Sequence, residues 1–436
     1  MAEPFFVYVD LNGETHFTGR LWFHATGSNE SASFEYSPAW RKSPFSFALE
    51  PALQTDQSAH HTPIGKALFG SMGDSAPDRW GRNLMKREAA RQAKAQNTTP
   101  RTLREIDYLL MVNDEARIGA LRFSKTSGGP FMAAETEGLP PVISLGKLLQ
   151  AAGRVEDRLE MDQDIQDIFA PGSSLGGARP KAAVRNTDGT LRIAKFPSQR
   201  DEWDVEFWEY IALKIAEAAG IQTPNFELQT VKGKNVLLMD RFDRGQGNIR
   251  IPYLSAMSML QYKDGEQASY LEIAEALSEY GANASEDKKE LWLRIVLNIL
   301  ISNYDDHLRN HGFLYQGTNG WKLSPVFDLE PTPAGYKARH LHTFIGLEDT
   351  EASLDEALAV AEEFGLSLSD ARSSAQQVGK ATQTWRRWAT QQRATADEID
   401  RMATAFEHDD LRKALAAKKA HVVPEKIKPL MKKMKL

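Results

Sequence analysis

Ile301-Ser-Asn-Tyr-Asp-Asp-His-Leu-Arg-Asn-His-Gly-Phe-Leu-Tyr315, with Leu323-Ser-Pro-Val-Phe-Asp-Leu329 behind it, decides how this chain is read. An apolar helix runs into a polar turn that carries Asp305, Asp306 and, five residues after Asp305, Asn310. Gly312 to Tyr315 has the pattern of a short strand. Gly317-Thr-Asn-Gly320 is a turn, and a second strand is expected to end at Asp328. This layout suits phosphoryl transfer from a nucleotide. One carboxylate, Asp305, orients a hydroxyl nucleophile, and the Asn310 amide oxygen with the Asp328 carboxylate holds magnesium.

The stretches upstream supply the remaining parts in order. Pro171-Gly-Ser-Ser-Leu-Gly-Gly-Ala-Arg-Pro-Lys-Ala-Ala-Val184 is a Gly/Ser-rich loop that ends on Lys181 and runs into a strand. Glycine-rich backbone approaches phosphates closely and aims N–H groups at them, and a lysine adds a point charge. Asn186-Thr-Asp-Gly189 turns the chain into a returning strand that carries Lys195. Asp204–Ala219 has helical periodicity, with Phe207, Ile211, Ile215 and Ala218 on one face and Gly220 as its stop. Glu206 and Glu209 lie in its first turns. A glutamate on the helix after the lysine strand pairs with that lysine in kinase-like sites. A hairpin, Phe226–Val231 and Asn235–Met239, then exits into Asp240-Arg-Phe-Asp-Arg244. A hinge between two lobes falls there, and hinge backbone can read an adenine edge.

Each piece alone has a plain structural explanation. Gly/Ser-rich loops are usually only loops, strand lysines usually face solvent, and Asp328 by itself could cap a turn. The order is what argues for function: loop, strand lysine, helix glutamate, hinge, Asp-x₄-Asn turn, strand, aspartate. His307 and His311 have the i,i+4 spacing of a helical zinc pair. Gly312 and the strand beyond it break that helix, and His307 is expected to prop the catalytic turn by hydrogen bonding instead.

Length and composition fit this picture. At 436 residues the chain is long enough for a two-lobed body, and 42% apolar with 26% charged residues is ordinary for a globular protein. A formal charge of −6 does not mark the whole chain as a nucleic-acid binder. Residues 411–436, however, hold nine Lys/Arg against the single acid Glu425, a frayed basic terminus or an electrostatic contact for a partner. There is no cysteine, which excludes disulfides, thiolate catalysis and sulfur-ligated zinc and fits a reducing compartment. The N-terminus lacks a signal-peptide pattern. The longest apolar run, near Leu291–Ile301, is interrupted by Arg294 and Asn298, so a cytoplasmic protein without membrane contact is expected.

The resulting organisation is α+β and two-lobed, like a protein kinase. Residues 1–130 form a β-rich subdomain that opens with the Asn12-Gly13 hairpin signal and continues into helices. Residues 145–242 form the N-lobe with the phosphate loop, 243–410 a mainly helical C-lobe with the catalytic turn, and 411–436 the basic tail.

The chain resembles the HipA family, serine/threonine kinase toxins of bacterial toxin–antitoxin pairs. The resemblance rests on Ser173-Ser-Leu-Gly-Gly-Ala-Arg-Pro-Lys-Ala182, Ile193-Ala-Lys-Phe-Pro197, Asp240-Arg-Phe-Asp243, Asp305-Asp-His-Leu-Arg-Asn310 and Pro325-Val-Phe-Asp328. It extends over nearly the whole chain, with an all-helical C-lobe. It implies a HipA-like kinase fold using ATP and Mg²⁺, with Asp305 as base and Asn310 and Asp328 on the metal. It further implies Lys195 on the α/β-phosphates, Lys181 with Gly176, Gly177 and Ala178 in the loop, Glu206 ahead of Glu209 as partner of Lys195, and Asp240 and Phe242 at the adenine. Ser174, beside Ser173, falls where the family is phosphorylated in trans, which ejects the loop. Adding nearly two negative charges to a phosphate cradle is a physical reason for such an off-switch. Asp306 stands where other members often have glycine.

The implied partners are a HipB-like helix-turn-helix antitoxin, DNA mainly through that antitoxin, and a protein substrate such as an aminoacyl-tRNA synthetase. A second reading is a regulatory co-repressor whose kinase activity is latched off by Ser174 phosphorylation. A third is a small-molecule kinase of the aminoglycoside type, which shares the Asp-x₄-Asn logic but fits the loop less well.

Overall fold

The computed structural model describes residues 3–134, 139–172, 177–347 and 351–416. The Ser173, Ser174 and Gly176 positions and the tail beyond Ala416 lie outside these. The chain opens on a five-stranded antiparallel sheet in the order β4-β3-β2-β1-β5, made of β1 (Phe5–Leu11), β2 (Glu14–Thr26), β3 (Asn29–Tyr36), β4 (His60–His61) and β5 (Leu121–Ser124). Asn12 and Gly13 both have positive φ, 52° and 84°, as the tight hairpin between β1 and β2 requires. Val7, Val9, Leu21, Phe34 and Phe123 bury one face against Trp40, Leu49 and Leu109.

A four-stranded antiparallel sheet follows, in the order β6-β7-β9-β8, from β6 (Lys181–Arg185), β7 (Leu191–Lys195), β8 (Phe226–Val231) and β9 (Lys234–Asp240). Side chains alternate across it. Ala182, Val184, Ala194, Val236 and Leu238 face a core built with the Leu145–Asp157 and Asp162–Gly172 helices. Trp80 and Leu84, from the Arg79–Ala95 helix far upstream, complete the same core. Lys181, Ile193 and Lys195 lie on the other face. The Val205–Ala218 and Ala284–Leu300 helices both feed the main core, with Phe207, Ile211 and Ile215 from one and Trp292, Ile295 and Ile299 from the other, and both pack on the Leu368–Thr382 helix.

The body after residue 243 is helical apart from a small antiparallel sheet, β10 (Tyr253–Ser255), β11 (Gly312–Tyr315) and β12 (Trp321–Leu323), in the order β10-β11-β12. The strand expected to reach Asp328 stops at Leu323. Pro325 has no N–H to give a ladder, and Asp328 has φ +54°, a left-handed conformation no strand tolerates. Among the described residues no helix is long and apolar enough to cross a membrane.

The Asp240–Arg244 segment joins all three parts. The buried Asp243 carboxylate accepts from Arg241 Nε and Nη2 at 2.6 Å each, from Arg244 Nη1 at 2.7 Å and from the Gly119 N–H at 2.7 Å. The two guanidinium groups donate onward to the carbonyls of Glu115, Ala116 and Arg117. One carboxylate thus holds two buried cations and ties the first sheet's 115–119 loop to the connection between lobes. Removing one partner of such a buried cluster leaves uncompensated charge. Asp243→Ala is expected to lower unfolding stability in urea by about 3–5 kcal/mol. Asp240→Ala, at a half-buried position, should cost far less, and equal midpoint shifts for the two would refute the ranking.

Candidate active site

Lys195 is the centre of the candidate site. Its ammonium donates to both oxygens of Glu209, at 2.6 and 2.8 Å, and also contacts Asp328 Oδ1. The Asp328 N–H in turn donates to Glu209 Oε1 at 3.1 Å. Burial works against each charge here. For Lys195 the Asp328 and Glu209 carboxylates outweigh it and hold the ammonium well above its ordinary range. For Asp328, Lys195 and Lys181 outweigh burial, and the carboxyl stays far below the usual range.

The lysine partner differs from the one expected. Glu209 makes the pair and Glu206 does not. Residues 205–213 are buried on every side of the helix, so amphipathic phase could not choose between the two glutamates. Glu206 is 1% exposed, its Oε2 has no hydrogen-bond partner among the described residues, and Arg179 Nη1 lies 3.9 Å away. Desolvation pushes its carboxyl up to about 8, with Arg179 pulling the other way.

The turn from Asp305 to Asn310 treats its two aspartates oppositely. Asp306 is buried. It accepts from the Tyr270 hydroxyl and from the His342 N–H at 2.8 Å, while Thr343 Oγ1 donates to its carbonyl at 2.6 Å. Burial pushes its carboxyl up to about 7, so Asp306 is an anchor for the turn. Asp305 is half-buried, and among the described residues its carboxylate accepts no hydrogen bond. Asn310 Nδ2 donates to the Asp305 carbonyl at 2.7 Å, which leaves Asn310 Oδ1 without a hydrogen-bond donor among the described residues. A chain of amides supports this from below: Asn298 Nδ2 donates to the Tyr270 hydroxyl at 2.9 Å, Asn303 Nδ2 to Asn298 Oδ1 at 3.0 Å, and the Glu330 N–H to Asn303 Oδ1 at 3.2 Å. His307 does not prop the turn as expected. Its Nδ1 has no hydrogen-bond partner among the described residues, and its ring meets the His342 ring edge-on at 5.9 Å.

Two expected residues of the adenine side separate. Arg192 and Asp240 are cross-strand partners, and Arg192 stands three positions before Lys195 on β7, so both point from the opposite face of the sheet. The Asp240 carboxylate is occupied there by Arg192 at 2.6 Å and Asn225 at 2.9 Å. The Phe242 ring lies 5.3 Å from the ring of Phe327, the residue before Asp328.

In the loop, Gly177 has φ +92°, and a Cβ there would collide with the Lys181 ammonium. Ala178 is exposed. Arg179, not singled out in the sequence, donates to both Asp201 oxygens at 2.7 Å and to Glu330 Oε1 at 3.2 Å. It joins the end of the loop to the segment just after Asp328. With Glu206 at 3.9 Å these are three carboxylates scattered from 201 to 330, and they give no sequence signal for this cluster. Asp78 also went unread. It precedes the Arg79–Ala95 helix without capping it, and burial pushes its carboxyl up to about 7 against the charges of Lys181 and Arg309.

The donor set fits a magnesium nucleotide. Asp328 and Asn310 offer hard oxygens, and the Lys195 ammonium now stands in for a cation at Asp328. Lys181 and Lys195 face each other across β6 and β7, which suits a polyphosphate.

Residues 173–386 match the family model described as the HipA-like C-terminal domain. A putative kinase of Haemophilus influenzae is 28% identical over 140 residues, covering 28% of this chain and 39% of that protein. Putative kinase Y4mE of Sinorhizobium fredii is 23% identical over 186 residues, covering 37% and 43%. These matches span about two-fifths of each curated relative. Among solved structures, HipA of Shewanella oneidensis, determined with HipB and operator DNA, aligns over 94% of this chain and 96% of its own with TM-score 0.64 at 17% identity, which establishes a common fold.

Two outcomes follow for the glutamates. Glu209→Gln is expected to weaken nucleotide binding more than Glu206→Gln, read as dissociation constants for a magnesium nucleotide. Glu206 holds a proton in the fold up to about pH 8 that the unfolded chain gives up in the usual glutamate range. Its contribution to stability is therefore complete in acid and is lost as pH rises through about 8. Glu206→Gln should flatten that fall in a series of urea unfolding curves; an unchanged slope would contradict it.

Proposed function

We propose, from the premise that this chain belongs to the HipA family, that it is an ATP- and Mg²⁺-dependent serine/threonine protein kinase acting as the toxin of a toxin–antitoxin pair. The observation that carries this reading is the joining of Lys195, Glu209 and Asp328 in one contact set, with Asn310 locked beside Asp305. A structural lysine would need one buried counter-charge. Two carboxylates from separate elements, one of them in a strained left-handed conformation, support a site built to exchange Lys195 for another cation.

In this reading Asp305 orients the acceptor hydroxyl and takes its proton as the phosphoryl group leaves the nucleotide. Lys195, braced by Glu209, and Lys181 bind the phosphates and offset their charge. Asn310, held by the Asp305 carbonyl, and Asp328 would hold the metal, which when bound supplies charge neutralisation at the transferred group. Phe242 and Phe327 form an apolar floor for the base, with Asp240 contributing backbone alone. The acceptor is a protein serine or threonine, for example on an aminoacyl-tRNA synthetase, and Ser174 with Ser173 is the site of self-modification. The partner is a HipB-like antitoxin, with DNA contacted mainly through it. A second reading, a co-repressor with latched-off catalysis, draws on the relative from Shewanella oneidensis, whose structure contains HipB and operator DNA.

The test is incubation of the purified chain with magnesium and γ-labelled ATP, alone and with cell lysate. Label on the chain or on a discrete lysate protein is expected, and Asp305→Asn and Asp328→Asn should each reduce it at least about a hundredfold with the fold intact. Absence of label in both settings would sink the kinase reading.

A further inference from the structure

The Arg79–Ala95 helix lies outside the 173–386 match and outside every motif of the cleft. Its second residue nevertheless reaches the phosphate loop. The Trp80 main-chain N–H donates to the Gly177 carbonyl at 3.2 Å, and its indole Nε1–H donates to the Lys181 carbonyl at 3.0 Å. A helix's first N–H groups have no partner within the helix, so the Trp80 N–H is free to serve another segment. β6 is an edge strand, whose outward backbone groups need partners from elsewhere. Trp80 answers both needs at once.

The side chain itself cannot move far. Trp80 is 3% exposed and packs with Leu84, Leu145, Ile165 and Ala182. Its two N–H groups therefore fix the two ends of the 177–181 turn at a set separation. Across that turn the Lys181 ammonium folds back over Gly177, where any Cβ would displace it. The Pro180 carbonyl accepts from the Phe196 N–H at 2.9 Å, which ties the same turn to the end of β7 beside Lys195. Backbone and lysine are thus held before any ligand arrives, and less ordering remains to be done on binding.

We infer that Trp80 is a positioning residue of the nucleotide site, contributed by a helix outside the HipA-like C-terminal domain, which fixes Lys181 for contact with the phosphates of a nucleoside triphosphate. This rests on the kinase reading above. Trp80 touches neither substrate nor metal, so its effect runs through Lys181.

The experiment uses the full chain and adenylyl imidodiphosphate with magnesium as the probe. Trp80→Phe keeps a ring in the core and the main-chain N–H, and loses the indole donor. It is expected to weaken the probe about fivefold to tenfold, the size of one hydrogen bond, and to raise KM for ATP with kcat nearly unchanged. Lys181→Ala keeps the carbonyl but removes the ammonium. In that background Trp80→Phe should have almost no effect, because the two residues act as one unit. Equal losses in both backgrounds would make Trp80 a packing residue only and overturn the inference, as would unchanged affinity in Trp80→Phe. If Trp80→Phe does not fold, solvent exchange of the Trp80 indole proton in the unaltered chain decides: it should slow when the probe binds, and no change refutes the role. Failure of the unaltered chain to bind the probe at all would instead defeat the kinase reading itself.

Discussion

The Lys195 ammonium held between Glu209 and Asp328 is the contact on which the arrangement of the site depends. It spans three elements that are distant in sequence: β7, the Val205–Ala218 helix and the irregular stretch after β12. A cation out of water must be paired, and so must each carboxylate that faces it. If β7 or the Val205–Ala218 helix shifted alone, the buried Glu209 carboxylate would be left without its cation. That requirement brings the four-stranded sheet against the helical body and sets the gap into which a nucleotide would fit. It also explains Asp328 at φ +54°, a conformation that costs on the order of 1 kcal/mol or more and persists where surrounding contacts enforce it.

A second network works by the opposite device. Around Asp243 the charges are buried to be permanent, with every carboxylate oxygen used and the 115–119 loop drawn in. Around Lys195 the set leaves room for exchange, because Asn310 Oδ1 and the Asp305 carboxylate remain available. The neighbouring aspartates of the turn show the same division. Asp306 spends its carboxylate oxygens on Tyr270 and His342, while Asp305 holds Asn310 through its carbonyl alone. Rigid support beneath a loosely occupied first layer is what phosphoryl transfer asks of a protein, since positioning and fixed charge do most of the work.

Much of this was legible from the chain. Local signals placed the hairpins, because Asn12-Gly13 and Asn186-Thr-Asp-Gly189 have the turn chemistry such hairpins need. Spacing singled out Asp305, Asn310 and Asp328 as candidates; in the structure Asn310 meets the Asp305 carbonyl and Asp328 meets Lys195, although the strand expected to reach Asp328 ends at Leu323. Asp240 was misplaced for a local reason: which face of β9 it uses follows from register with β7, and register is a property of the pair. The resemblance put Glu206 ahead of Glu209, and with residues 205–213 buried on every side of the helix no polar face could correct that choice. Arg179 and Trp80 left no trace in spacing at all. Their partners, Asp201 and Glu330 for one and Gly177 and Lys181 for the other, meet them only through the packing of separate helices and strands.

The sequence by itself determined the order of parts, a glycine-rich loop, two strand lysines, a helix with acids in its first turns and an Asp-x₄-Asn turn, because each is a short-range pattern that backbone geometry translates directly. Only the tertiary structure decided which glutamate meets Lys195, which aspartate of the turn is buried, where the Asp240 side chain points and that Trp80 joins the phosphate loop. Those choices depend on which charges lose water together, and burial is settled by contacts between segments far apart in the chain.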